Sequence, residues 1–130
     1  MKNETFEMFQ ERVHPEIVEV RKLLRELIPR EPEEIFDMMR TAEGFCDRTK
    51  EILAEAEEQL DLEEKRATIA VMNEHASYSA DLKKMVVAAD VSLARSYRDK
   101  IEAKVQGLDG RLKTCQSLLA YCRDRRTGTI

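Results

Sequence analysis

Eight basic side chains in the last third of the chain have the types and the spacing to hold a row of phosphates: Arg95, Arg98, Lys100, Lys104, Arg111, Arg123, Arg125 and Arg126. On a helix, Lys100, Lys104 and Arg111 stand at i, i+4 and i+11, close to one another on the surface. Arg95 and Arg98 form a neighbouring strip, and Arg123, Arg125 and Arg126 cluster at the end. Such a stripe tracks a nucleic-acid backbone through charge, releasing counterions and carrying no base information. Aromatic platforms for unpaired bases are scarce, with Tyr97 and Tyr121 the two candidates. Both also fit the apolar stripe of the same helix, so a merely solvated basic face is the competing reading.

Other chemistries find less support. Cys46, Cys115 and Cys122 each fall on an apolar helical stripe, which suits reduced core thiols in a cytosolic protein. His14 and His75 are far apart and flank loops, whereas a zinc site needs four convergent ligands at tighter spacing. The pairs Glu57-Glu58 and Glu63-Glu64 read as solvated, without the burial that raises a carboxyl pKa for acid catalysis. No nucleophile elbow, phosphate-cradling glycine loop, zincin or calcium-loop spacing is present. Met38, Met39 and Met85 read as core filler. The expectation is a protein that is no enzyme and carries no metal or cofactor.

The element that must carry the basic residues spans Ala80–Arg126. Leu82, Val86, Ala89, Leu93, Tyr97, Ile101, Val105, Leu108, Leu112, Cys115, Leu119 and Cys122 recur every three or four residues, as one face of a long amphipathic helix. The intervals of four from Leu93 to Val105 predict a stutter that locally unwinds any supercoil. Ser77 or Ser79 can cap the start, with Asp81 in the first turn, and Gly128 ends the pattern. Gly107 and Gly110 each cost about 1 kcal/mol in a helix, and GLDG can mark a turn. The unbroken apolar register favours one continuous helix.

Earlier in the chain, Phe6, Phe9 and Val13 predict a short amphipathic helix that His14-Pro15 interrupts. Pro15 then opens a second helix with Ile17, Val20, Leu24, Leu27 and Ile28 on its apolar face. Pro29 and Pro32 make a stiff connector. From Glu33 to about Glu74 a long helix carries Ile35, Met39, Ala42, Cys46, Thr49, Leu53, Ala56 and Leu60 in strict alternation of four and three, a heptad seam broadened by Met38, Phe45 and Ile52. Beyond Leu60 the seam fades to Glu63, Ala67 and Ala70, and Gly44 is a possible kink. Glu51, Glu55, Glu58 and Glu64 make the opposite face acidic. The short connection His75–Ser79 forces the two long helices antiparallel.

The fold class expected is therefore all-α: one domain of 130 residues, a long antiparallel helical hairpin with short N-terminal helices over 1–31, an acidic helix over 33–74 and a basic one over 80–126. With 42% hydrophobic and 37% charged residues the composition suits long amphipathic helices. Residues 1–75 hold 20 Asp and Glu against 11 Lys and Arg, and residues 76–130 hold 6 against 11. The two halves thus suit different partners, or pair with each other within or between subunits. Stripes this wide exceed what one hairpin covers, so a homo-oligomer built like a coiled coil is expected. Neither a membrane span nor a secretory leader is legible, which places the protein in the cytoplasm.

The lysine-led turn Lys84-Met-Val-Val-Ala-Ala-Asp90, the polar segment after it, and Leu108, Leu112, Leu118-Leu119 and Tyr121 near a basic end resemble the C-terminal half of the small helical phage recombination mediators of the UvsY type. The resemblance extends over residues 33–126. It implies a non-enzymatic helical protein that forms closed oligomers, binds single-stranded DNA and helps load a recombinase in place of single-strand-binding protein. Where that family carries a large aromatic between basic residues, this chain has Tyr121-Cys122-Arg123. The alternative is a protein-only interaction module, an adaptor or inhibitor whose acidic helix occupies a basic partner site.

Overall fold

The computed structural model describes residues 4–127, with side chains through Arg125. Gly128, the expected helix stop, and the side chain of Arg126 lie outside the described residues. The described chain is all α-helix and turn: α1 Phe6–Arg25, α2 Pro32–Glu74, α3 Ala80–Asp90 and α4 Ser92–Thr127. The long α2 packs against α4 in antiparallel fashion. Met38 of α2 meets Arg111, whereas Lys50, farther along α2, meets the earlier Asp109. The chain divides into two compact units, Met1–His14 with Ile52–Glu102, and Pro15–Glu51 with Ala103–Ile130.

α1 corrects the expectation of two short N-terminal helices. Thr5 caps it, its hydroxyl accepting from the Met8 N–H at 3.1 Å, and the helix runs through Pro15 to Arg25. A proline inside a helix costs about 3 kcal/mol through a lost hydrogen bond and a clash. Against that, Phe6, Phe9, Val13, Ile17, Val20 and Leu23 are all buried at helical spacing. Each such side chain contributes about 1.5–3 kcal/mol, so the continuous stripe outweighs the proline. Leu27, expected on this face, lies beyond the helix end and is 92% exposed.

α2 follows its expected course. Pro32 is its first residue, Glu33 and Glu34 occupy the first turn, and the Ile35 N–H donates to the Glu31 carbonyl at 2.9 Å. The buried line is Ile35, Met38, Ala42, Cys46, Thr49, Ile52, Ala56 and Leu60, with Met38 and Ile52 in the places expected for the half-buried Met39 and Leu53. Burial continues through Ala67 and Val71, where the sequence predicts a fading seam.

The expected single helix over 80–126 is two. It stays helical through Gly107 and Gly110 but breaks at Val91, whose φ of −99° and ψ of 5° leave the α region. Hydrogen bonds bridge the break, from the Val91 N–H to the Val87 carbonyl and from the Arg95 N–H to the Val91 carbonyl. The break takes Leu93 off the stripe, which still runs through Tyr97, Ile101 and Val105 at intervals of four. Val91, a β-branched residue, is 1% exposed, and Ala94 and Ile101 are buried, while Leu93 is 76% exposed. From Val91 the buried positions are Ala94, Ile101, Val105, Leu108 and Cys115, with the half-buried Tyr97 packed inward between Ala94 and Ile101.

In the second unit Val20, Leu23, Ile35, Met38, Ala42, Cys46, Leu108 and Cys115 form one buried cluster, with Leu24, Phe45, Leu112 and Leu119 packed against it. In the first unit α1 packs by its aromatics: the rings of Phe6 and Phe9 meet Tyr97 edge-on, with centroids 5.9 and 6.2 Å away.

Candidate functional site

The eight basic residues do not share one environment. Arg95 of the first unit is paired with Glu64 at 3.1 Å. Arg98 donates to Asp99 at 2.7 Å; that hydrogen bond, and lesser attraction from Glu102 and Glu57, hold its pKa above the usual value against partial burial. Arg98 is half-buried, next to Tyr97, which takes the place on the apolar stripe that the periodicity gives it. Lys100 is exposed and Lys104 half-buried.

Arg111, in the second unit, is committed to structure. Its guanidinium donates to the carbonyls of Glu26 at 2.6 Å and Leu24 at 2.8 Å. Those carbonyls lie at the C-terminal end of α1, where helix acceptors lack partners and cations are favoured. No periodicity argument reveals this, because it depends on where α1 ends in space.

The C-terminal turns of α4 combine cations with an aromatic ring. Tyr121 is 48% exposed, and the Arg125 guanidinium lies 5.8 Å from its ring centroid. The Arg123 side chain is 76% exposed and 3.8 Å from Asp124. Tyr97, the other expected platform, is withdrawn against Phe6 and Phe9, and burial pushes its phenol pKa up.

A second feature of the first unit escaped sequence reasoning. Glu64, Thr68, Val71, Met72, Ala80, Lys83, Lys84, Val87, Ala88 and Arg95 line a groove of about 420 Å³. Its floor is aliphatic and thioether; Lys83, Lys84 and Arg95 supply its rim. The available signal was Lys83-Lys84 beside Leu82 and Met85, apolar residues that the helix leaves 40% and 68% exposed. In the second unit a hollow of about 660 Å³ is instead acidic, with Glu19, Glu26, Glu34 and Asp37 in its lining beside the exposed Leu27.

The thiols are placed as expected for core groups: all three are free, Cys46 and Cys115 are buried and Cys122 is half-buried. Burial first, and for Cys46 the Asp109 carboxylate that its thiol meets at 3.2 Å, raises the pKa of both buried thiols. Raised thiols are poor nucleophiles and poor metal ligands. Among the described residues no group of His, Cys, Asp and Glu converges to hold a metal ion, and no helix is long and apolar enough to cross a membrane.

Elsewhere in the first unit Arg12 bridges Glu4, at 2.7 Å, and Glu55. The hydrogen bond from Arg12 holds the Glu4 carboxyl below its ordinary pKa. Glu55, expected on a free acidic face, is thus engaged. Comparison with protein-family models, with characterised proteins and with solved structures finds no match to this chain.

Proposed function

We propose that the protein acts by binding, not chemistry: an oligomeric helical protein that holds single-stranded DNA and assists recombinase loading, like the UvsY-type mediators it resembles. The observation that carries this reading is the C-terminal end of α4. There the exposed Tyr121 lies under Arg125, one turn on, with the exposed Arg123 about half a turn round the helix. A ring for a base and cations for the adjoining phosphates are what sequence-tolerant single-strand binding requires. In the same unit Lys104, and in the first unit Lys100, Arg95 and Arg98, would each offer a phosphate contact, Lys104 and the two arginines by exchanging a present partner for a phosphate. Arg111 serves the fold, and Arg126 extends the basic run in sequence.

Titrating a labelled oligo-dT with the full chain at several salt concentrations tests this. Binding should weaken steeply with salt as counterions are released. One stacked base contributes about 1–3 kcal/mol, so Tyr121→Ala should weaken binding at least about fivefold. R123E/R125E should flatten the salt dependence. No binding at low salt, or binding that neither variant changes, would reject the reading.

A second reading, a protein-only module with an acidic face, draws support from the hollow of Glu19, Glu26, Glu34 and Asp37 around the exposed Leu27. Capture of a lysine-rich peptide that E34K/D37K abolishes, with oligo-dT ignored, would favour it.

A further inference from the structure

We infer that the groove bounded by α2, α3 and the start of α4 in the first unit is a docking site for an acidic, amphipathic peptide segment of a partner protein. The first ground is α3 itself. It has 11 residues, none of them buried. Helices shorter than about 12–15 residues are marginal alone, and α3 spends its N-cap, the Ser79 hydroxyl accepting from the Leu82 N–H at 3.2 Å, on a helix whose apolar side is open. On its groove side α3 presents Ala80, Val87 and Ala88, none of them buried, and across the groove Met72 is 58% exposed.

Charge says what the occupant must be. The lining offers three cations, Lys83, Lys84 and Arg95, against one carboxylate, Glu64, which Arg95 already holds. This cationic rim stands in a chain of net charge −4. A segment with carboxylates along its flanks meets the rim and is steered to it. The floor decides between peptide and nucleic acid. Val71, Met72, Val87 and Ala88 form it, and no aromatic ring lines the groove among the described residues. Bases stack on rings, whereas leucine- or phenylalanine-type anchors pack on aliphatic side chains and on adaptable methionine. At about 420 Å³ the groove takes a few anchoring side chains of an amphipathic segment. The groove shares Arg95 with the proposed phosphate contacts but does not include Tyr121, and it stands whether or not the protein binds DNA.

The test is fluorescence anisotropy with the full chain and a labelled synthetic peptide carrying leucines at helical spacing among glutamates. The controls are the same composition scrambled off one face, a lysine-for-glutamate counterpart and labelled oligo-dT. Expected is saturable binding of the first peptide in the range of tens of micromolar, about −6 kcal/mol, at least fivefold tighter than the scrambled one, with none of the basic one. Lys83 and Lys84 are not buried and Glu is a good helix former, so K83E/K84E should keep the helical circular dichroism yet lose tenfold or more in peptide affinity. Met72→Asp should do the same through the floor. The inference is overturned if the acidic peptide fails to bind at about 1 mM or binds no better than its scramble. It is equally overturned if K83E/K84E abolishes oligo-dT binding with peptide binding absent, or if that variant changes only the oligomeric mass. Failure here leaves Tyr121→Ala and the salt series as the independent test of DNA binding.

Discussion

Arg111 and Lys100 carry the same charge on the same helix, yet one caps α1 through two carbonyls and the other is exposed. Spacing along a helix puts a residue on a face; it does not say what that face meets. For this reason most of the α2 seam and the place of Tyr97 on the apolar stripe were legible, while the fates of Arg98 and Arg111 were not. The two glycines of α4 show the same divide. A Cβ on Gly110 would meet nothing within 4 Å among the described residues, whereas one on Gly107 would come within 3.1 Å of the Leu24 side chain. Gly110→Ala should therefore raise stability by about 0.5–1 kcal/mol, the helix-propensity gain. Gly107→Ala should gain less or lose, because Leu24 must give way. Thermal or urea denaturation of the two variants checks the order; equal gains would show that Leu24 yields without cost.

At the level of elements, existence was legible and boundaries were not. Pro15 predicts an end and Val91 predicts nothing, but the chain runs through the first and breaks at the second. In both places buried side chains decided, since a stripe of several apolar residues outweighs one local preference. The antiparallel pairing of α2 with the last helix was legible, although the connection at 75–79 leads into α3 and not directly into α4. α3 is the exception to this rule of burial. Lacking buried residues, it has little to hold it against local opening. In hydrogen exchange its amides should therefore lose protection well before those of α4 around Ile101 and Leu108, which are 1% and 0% exposed. Protection equal to that of α4 would mean that something covers α3 in solution, and a second measurement with the acidic peptide would show whether it slows exchange there alone.

For the whole molecule, the acidic first half and basic second half were plain from composition, and several of the charges are spent internally, as in Glu64–Arg95 and Lys50–Asp109. Exposed ion pairs of this kind contribute about 0–1 kcal/mol each, so they orient surfaces more than they stabilise them. Apolar exposure weighs more: Ile69, Met72, Met85 and Leu93 are each more than half exposed in the first unit. Self-association at micromolar concentration is the expected outcome, read by light scattering as a multiple of the 15.1 kDa chain mass. Replacing Leu53 and Leu112 with Asp should dissociate or unfold the protein, and a monomer mass for the unaltered chain would refute the expectation. The break at Val91 bears on how such a chain tolerates change in length. One residue added within a continuous helix turns everything beyond it by about 100°, carrying a whole seam off its core. At Asp90–Val91 the helix is already broken, so an added or lost residue turns α3 while the seam from Val91 onward keeps its register. A change in the length of α3 therefore need not carry the buried stripe of α4 off its core.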